Sequence, residues 1–353
     1  MNLLSDFLGR QWQALLVHLR RWVTIRDRPS AAGSAVASLA CVGLILALWQ
    51  FLTRGPVEQR IVNPYTLPSP GEVLGSFHSL WYDRYVSRGA AASLGRVFGG
   101  FLLSAAVAVP LGVVAGAFLR LQAFLKPLSI FGRNIPIAAL IPLTLIWFGL
   151  GEPQKVMFIF LASVSFVFFD SASAVGEVPD SYLDAAYTLG ARFAWRRGLA
   201  WALAAGAAYC LVFAMTYRTL TPMPGAAGDE ALAAAWRASL ARTGLIGFLL
   251  GALLWFPIGG FHAIGKVLFP LALPSIVNSL RLLFGLAFGY IMLAEVIDAT
   301  YGLGAIIITS QRQGPREHIY LALILIALLA YAIDRGILAL QHYLFPYRRA
   351  GGH

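Results

Sequence analysis

The stretch AAGSAVASLACVGLILALWQFL, Ala31–Leu52, holds 22 residues and no charged side chain. Wound as a helix rising about 1.5 Å per residue, it is long enough to cross the roughly 30 Å hydrocarbon core of a bilayer. Runs of about 20 apolar residues recur along the chain, whereas a soluble protein of this size alternates apolar with polar residues. Spanning strands would instead be segments of about 10 residues alternating with period 2, and none is found. Only helices satisfy their own backbone polar groups within such runs, so the fold class is all-α, a polytopic bundle of transmembrane helices. The composition agrees: 59% hydrophobic, 12% charged and a mean hydropathy of +0.72.

Working outward from 31–52, seven further spans are expected, at 97–118, 127–150, 156–175, 199–217, 244–264, 279–296 and 319–338. Gly112 and Gly116 in the second have the small-xxx-small spacing that lets another helix approach closely, which places this span inside the bundle. The third is interrupted by Gly132, Pro136 and Pro142, and its freed backbone groups must be satisfied by protein or cavity water, as in helices that line a transport path. The fourth carries Asp170 near its end. Residues 199–217 and 244–264 read as a membrane hairpin whose tip holds Pro222, Pro224, Gly225, Asp229 and Glu230, with Arg237 and Arg242 beside it. A proline-marked segment, 266–278, leads into the seventh span.

Eight spans put both termini on one side. Arg10, Arg20, Arg21, Arg26 and Arg28 make that side cytoplasmic. Residues 5–23 place Leu8, Trp12, Leu15, Leu16, Leu19, Trp22 and Val23 on one helical face, as in a helix lying on the membrane. The first apolar run follows this Arg-rich segment and reads as a retained anchor. The proline-containing stretch 53–89 is an external loop with one short helix.

A formal net charge of +11 could point to nucleic acid, but most of the 27 basic residues lie between spans, many as Arg near span ends, where anionic lipid is the fitting partner. Cys41 and Cys210 sit inside apolar runs as buried hydrophobes. The six histidines, at 18, 78, 262, 318, 342 and 353, form no H-E-x-x-H pair, and no G-x-S-x-G or C-x-x-C occurs. No catalytic constellation is visible, and without a G-x-x-x-x-G-K-[ST] loop the chain binds no ATP by that route.

The polar segment between the fourth and fifth spans reads G-E-V-P-D-S-Y-L-D-A-A-Y-T-L-G, from Gly176 to Gly190. It is expected to be helical after Pro179, with Asp180 as N-cap and Gly190 ending the helix. Ala185 and Ala186 give it a bare face on which another backbone can dock closely. Asp184-Ala185-Ala186 followed by Gly190 resembles the E-A-A-x-x-x-G signature of ABC importer permeases, with Asp in place of Glu. The continuation of that signature, ending in two spaced prolines, resembles Lys266 to Pro274, with Pro270 and Pro274, then Asn278 to Arg281. Pro136 to Gly151, Glu295 with Gly302-Leu303-Gly304, and Asp334-Arg335 are similar to the sulfonate, taurine and nitrate branch. The departure is an extra hairpin that puts about 80 residues between Gly190 and Pro270.

The resemblance implies six core spans plus an inserted hairpin, in the type I importer permease fold. The chain then divides into 1–30 (amphipathic helix), 31–53 (first span), 54–92 (external loop), 93–197 (core spans and coupling helix), 198–265 (hairpin), 266–345 (C-terminal core spans) and 346–353 (cytoplasmic tail). The resemblance also implies an ATPase-coupling site of Asp184, Ala185, Ala186, Leu189 and Gly190. The partners implied are a cytoplasmic ABC ATPase subunit that binds the ATP, a second permease copy as a homodimer, and an extracytoplasmic substrate-binding protein. No cofactor or metal belongs to the chain itself. Arg133, Asn134, Asp170, Arg281 and Glu295 are candidates to line a path for a small anion such as a sulfonate, taurine or nitrate. A rival from a different class is an ion-coupled secondary transporter or channel with Asp170, Glu295 and Asp298 as coupling acids, but the inverted repeat expected of many such folds is not apparent.

Overall fold

The structure, a computed structural model, describes residues 30–220, 230–298 and 300–346. The 5–23 segment expected to lie on the membrane and the 221–229 part of the hairpin tip fall outside the described residues. Among the described residues every regular element is helical, apart from one isolated bridge between Phe193 and Phe261. The chain divides after Gly75 into two units.

In the first unit, α1 (Ala31–Leu52) starts where the Ser30 side chain accepts from the Gly33 N–H at 3.1 Å. Its apolar side chains are exposed almost throughout, as acyl chains around a single span require. Cys41 is exposed among them rather than buried, and it and Cys210 are free thiols. After α1 come a 3-10 turn (Val57–Gln59) and α2 (Pro70–Gly75). Ser69 and Glu72 cap α2 reciprocally: the carboxylate accepts the Ser69 N–H at 2.8 Å and the hydroxyl accepts the Glu72 N–H at 3.3 Å. Arg60 grips the same carboxylate with two bonds of 3.1 and 2.8 Å.

The second unit runs α3 (Phe77–Tyr82), α4 (Val86–Ala117), α5 (Leu119–Asn134), α6 (Leu140–Phe148), α7 (Glu152–Gly176), α8 (Asp180–Thr188), α9 (Trp195–Leu220), α10 (Glu230–Gly260), a π turn (Ile264–Leu268), α11 (Phe269–Asp298), α12 (Leu303–Gln313) and α13 (Glu317–Leu344). With α1, seven described helices are long and apolar enough to cross a membrane, and the bent pair α5–α6 makes an eighth if it counts as one span. That pair turns by 89°. Pro136 alone marks the break; Gly132 stays inside α5, and Pro142 sits in the first turn of α6, where a missing N–H costs nothing.

Three expected boundaries move. The loop after α1 holds two short helices and a 3-10 turn instead of one helix. The second span begins at Val86 rather than at 97, which brings Ser93 and Arg96 inside the helix. The proline-marked 266–278 segment is not separate from the seventh span: the π turn passes straight into α11, which contains Pro274.

Helices α4 and α7 form the centre of this unit. A Cβ at Gly112 would lie 2.7 Å from the Phe168 carbonyl, and one at Gly116 would lie 2.7 Å from the Ala172 carbonyl, so only glycine lets these backbones touch. Helices α9 and α10 pack on each other, with Gly247 against the Tyr209 carbonyl, and the pair leans on α4. There the Tyr209 hydroxyl donates to the Ala106 carbonyl and accepts from Trp255 Nε1 at 3.1 Å.

Candidate coupling site and the charged clamp

Helix α8 is short because its chemistry stops it at both ends. Pro179, not Asp180, holds the N-cap position; Asp180 is the first helical residue, with its carboxylate in the first turn, where the helix dipole favours it. At the other end Gly190 takes φ +82°. Its N–H bonds the Tyr187 carbonyl at 3.0 Å, and the Ala191 N–H reaches back to Ala186 at 2.9 Å, a Schellman ending that needs a left-handed residue. Asp184, Ala185, Leu189 and Gly190 are exposed and Ala186 is half-buried. Leu189 is 88% exposed, beside the exposed rings of Tyr182 and Tyr187. On the inner side Leu183 packs against a cluster that includes Val114, Val175, Ile258, Ile264, Leu268 and Ala272. One small helix thus presents a bare outer face while its inner face touches the core shared by α4, α7, α10, the π turn and α11.

The hairpin does not pull the halves of this element apart. The Ala194 N–H bonds the Gly260 carbonyl at 2.8 Å and the His262 N–H bonds Arg192 at 3.3 Å, closing the base of the hairpin through the Phe193–Phe261 bridge. Gly265 permits the return, since a Cβ there would lie 2.2 Å from the Ile258 carbonyl. Residues 180–192 and the prolines of α11 are therefore joined in space although about 80 residues separate Gly190 from Pro270 in sequence.

The other end of α7 holds a charged clamp. Glu295 of α11 is almost wholly buried. Its carboxylate accepts from Ser93 at 2.7 and 2.8 Å, from Arg96 Nη1 at 2.6 Å and from the Gly304 N–H at 2.9 Å. Arg96 also grips Glu152 of α7 at 2.5 and 2.6 Å and donates to the Tyr301 carbonyl at 2.7 Å. The Ser93 hydroxyl accepts the Leu303 N–H at 2.9 Å. The carboxylate thus sits at the positive N-terminus of α12 and satisfies donors that the helix leaves unpaired. Gly302-Leu303-Gly304 is needed for fit: a Cβ at Gly302, φ +148°, would lie 2.5 Å from the Glu295 carboxyl carbon, and one at Gly304 would lie 2.8 Å from the Glu295 Cβ.

The structure does not bring the five pathway candidates together. Glu295 is enclosed in the clamp instead of facing open space. Arg281 pairs with Asp334 at 3.4 Å. Asp170 hydrogen-bonds Ser279 and lies near Arg133, whose guanidinium covers the Phe169 ring at 3.6 Å. Exposed Asn134 donates to the Ile130 carbonyl. The side chain of Asp298 lies outside the described residues. Under the α5–α6 bend lies a cavity of about 440 Å³ lined by Leu111, Leu128, Trp147, Phe168, Ser129 and Ser165 among others. The sequence reading missed Ser93, Arg96 and Glu152. An arginine ten residues into an apolar helix was the available signal, hidden by starting the span at 97.

The sequence profile of binding-protein-dependent transport system inner membrane components matches residues 108–225, a segment that contains α8. Over 94% of its length the chain aligns, at 23% identity, with 95% of the taurine transport system permease protein of Escherichia coli (strain K12). The chain is similar to ABC transporter permeases over most of its length. It also aligns over 72% of its length with 68% of the bicarbonate transport system permease protein of Synechocystis sp. (strain ATCC 27184 / PCC 6803 / Kazusa), at 24% identity. A shorter match, 42% of the chain against 54% of the relative at 29% identity, is to the riboflavin transport system permease protein of Chloroflexus aurantiacus (strain ATCC 29366 / DSM 635 / J-10-fl). An inward-facing crystal form of the MetNI methionine ABC transporter covers 73% of the chain and 94% of its own chain, with 18% identity and a TM-score of 0.48. These likenesses are to transport components of the inner membrane and not to enzymes.

Proposed function

We propose that the chain is the membrane half of an ATP-driven importer for a small anionic solute, with α8 as the helix that receives the motion of a cytoplasmic ATPase. The observation that carries this reading is the arrangement of α8: an exposed Asp184-Ala185 face with a Leu189 that little else covers, and an inner Leu183 seated in the core. A rigid push on the outer face displaces the ends of α4, α7 and α11 together, and ATP supplies the free energy by binding one conformation better than the other. Both termini are cytoplasmic, two copies enclose the path, and an external binding protein delivers the solute. The names of relatives that act on taurine and bicarbonate support the anion class.

The test is a pull-down of the detergent-solubilised chain from its own membrane, wild type against Ala186→Arg. Recovery of an ATPase subunit with wild type and its loss with the variant supports both the function and the site. If wild type recovers none, the importer reading gives way to an ion-coupled secondary transporter built around Asp170.

A further inference from the structure

We infer that the base of the hairpin is a binding site for the phosphate headgroup of an anionic phospholipid, held by Arg192, Arg196, Arg197 and Lys266. The bridge at Phe193–Phe261 folds two strongly basic segments onto each other: 190–200 carries three arginines, 260–270 carries Lys266 and His262, and neither contains an acidic residue. Among the described residues none of the four cations makes an ion pair with a carboxylate. Arg197 Nη1 is buried without a hydrogen-bond partner, and its other terminal nitrogen lies 3.1 Å from where a Gly265 Cβ would stand, so it points across the base toward the π turn.

The charges that act on His262 at the base of the hairpin have one sign. Arg196 and Arg197 occupy the first turn of α9, where a cation opposes the helix dipole, and no acidic residue is there to compensate. His262 is held below its usual pKa, first by desolvation and then by the charges of Lys266, Arg197 and Arg192. An arrangement of like charges at a positive helix end favours an anion near it.

The apolar surroundings identify the anion as a lipid. Phe193 and Trp195 stand exposed beside the cations, and along α9 the exposed surface continues as Leu199 and Leu203. Cations at a span end with aromatic rings at the same level and apolar surface beyond match a headgroup over acyl chains. A nucleotide fits less well. Gly260 and Gly265-Lys266 have the spacing of a phosphate loop, but Val267 replaces the hydroxyl residue and the segment is a helix end and a π turn, with no strand leading into it.

The experiment is native mass spectrometry of the purified full chain titrated with dioctanoyl phosphatidylglycerol or dioctanoyl phosphatidylcholine. Three chains are compared: wild type, Arg192→Gln/Arg197→Gln/Lys266→Gln, and Arg237→Gln/Arg242→Gln as a control near the far end of α10. At about fivefold per basic residue, the triple variant binds phosphatidylglycerol roughly 100-fold more weakly, while the control and phosphatidylcholine binding are unchanged. Arg197→Lys keeps the charge and retains most of the affinity, which separates lost binding from lost folding. Equal weakening in both multiple variants, or displacement of the lipid by an equal concentration of inorganic phosphate, overturns the lipid site. Unchanged lipid binding in the triple variant with loss of a co-purifying ATPase assigns the surface to that subunit instead. The readout is lipid binding and not transport, so it stands or fails independently of the importer reading.

Discussion

Replacing Arg96 by methionine should be among the most damaging single changes in the chain, and the clamp says why. Arg96 is the only cation bonded to Glu295 among the described residues, and the Glu295 side chain has no solvent exposure. Without Arg96 that carboxylate keeps its donors from Ser93 and Gly304 but has no counter-charge. Glu152 fares better, being 45% exposed with Lys155 at 3.4 Å. The cost therefore falls on Glu295, and stranding a buried charge costs about 3–5 kcal/mol. Glu295→Gln strands no charge, because Arg96 retains Glu152, and costs about 1–3 kcal/mol. The double variant Arg96→Met/Glu295→Gln should cost less than the sum of the two by about 0.5–3 kcal/mol. Unfolding of the four proteins in one detergent closes the cycle. If Arg96→Met lies within about 0.5 kcal/mol of wild type, or the two changes simply add, the clamp holds nothing together.

Gly302→Ala should cost about 1–3 kcal/mol, because it combines φ +148° with a contact of 2.5 Å to the Glu295 carboxyl group, whereas Gly190→Ala, strained but in open space, should cost about 1 kcal/mol; thermal melts compare them. The Arg60 guanidinium and the Ser69 N–H hold Glu72 down to about 2 from 4.5. Since the folded value is the lower, the stabilisation of α2 is complete above the unfolded value and is lost as pH falls from about 4.5 toward about 2. Hydrogen exchange of the α2 amides should be protected at pH 6 and less so at pH 3, with Glu72→Gln removing the difference. Deleting 195–259 and joining Ala194 to Gly260, whose N and O atoms are 2.8 Å apart, should leave a chain that inserts in the membrane and melts cooperatively.

The spans were legible because apolar length is a strong signal, and α1 falls where the sequence places it. The end of α8 was legible too, since a glycine after a short polar helix has few other uses. The start of α4 was not. Arg96 looks like a loop residue until Glu152 and Glu295, 56 and 199 positions away, are seen to neutralise it. A local reading cannot pair charges over such distances. Glu295 was singled out for the right reason, an acid in an apolar run, but the same residue type serves a path or a clamp, and only its partners distinguish them. The prolines of α11 were read as a break because a missing N–H usually ends a helix; the π turn before them takes up the irregularity instead.

The hairpin separates two ideas that sequence runs together, contiguity along the chain and contiguity in space. Its ends meet at one bridge, so the core is asked only to accept two adjacent chain crossings at that point. In water an inserted pair of apolar helices would have to find a buried face or aggregate. In lipid the exposed side of the pair, with Leu203, Leu211, Leu249 and Leu253 outward, meets a solvent as apolar as itself, so little hydrophobic penalty opposes the insertion. What remains costly is the polar base, where backbone groups need partners and like charges crowd together. The hydrogen bonds of Ala194 and His262 meet the first need inside the chain. The second is met by no carboxylate of the described residues, which is why an external anion belongs to the same structural logic as the insertion itself.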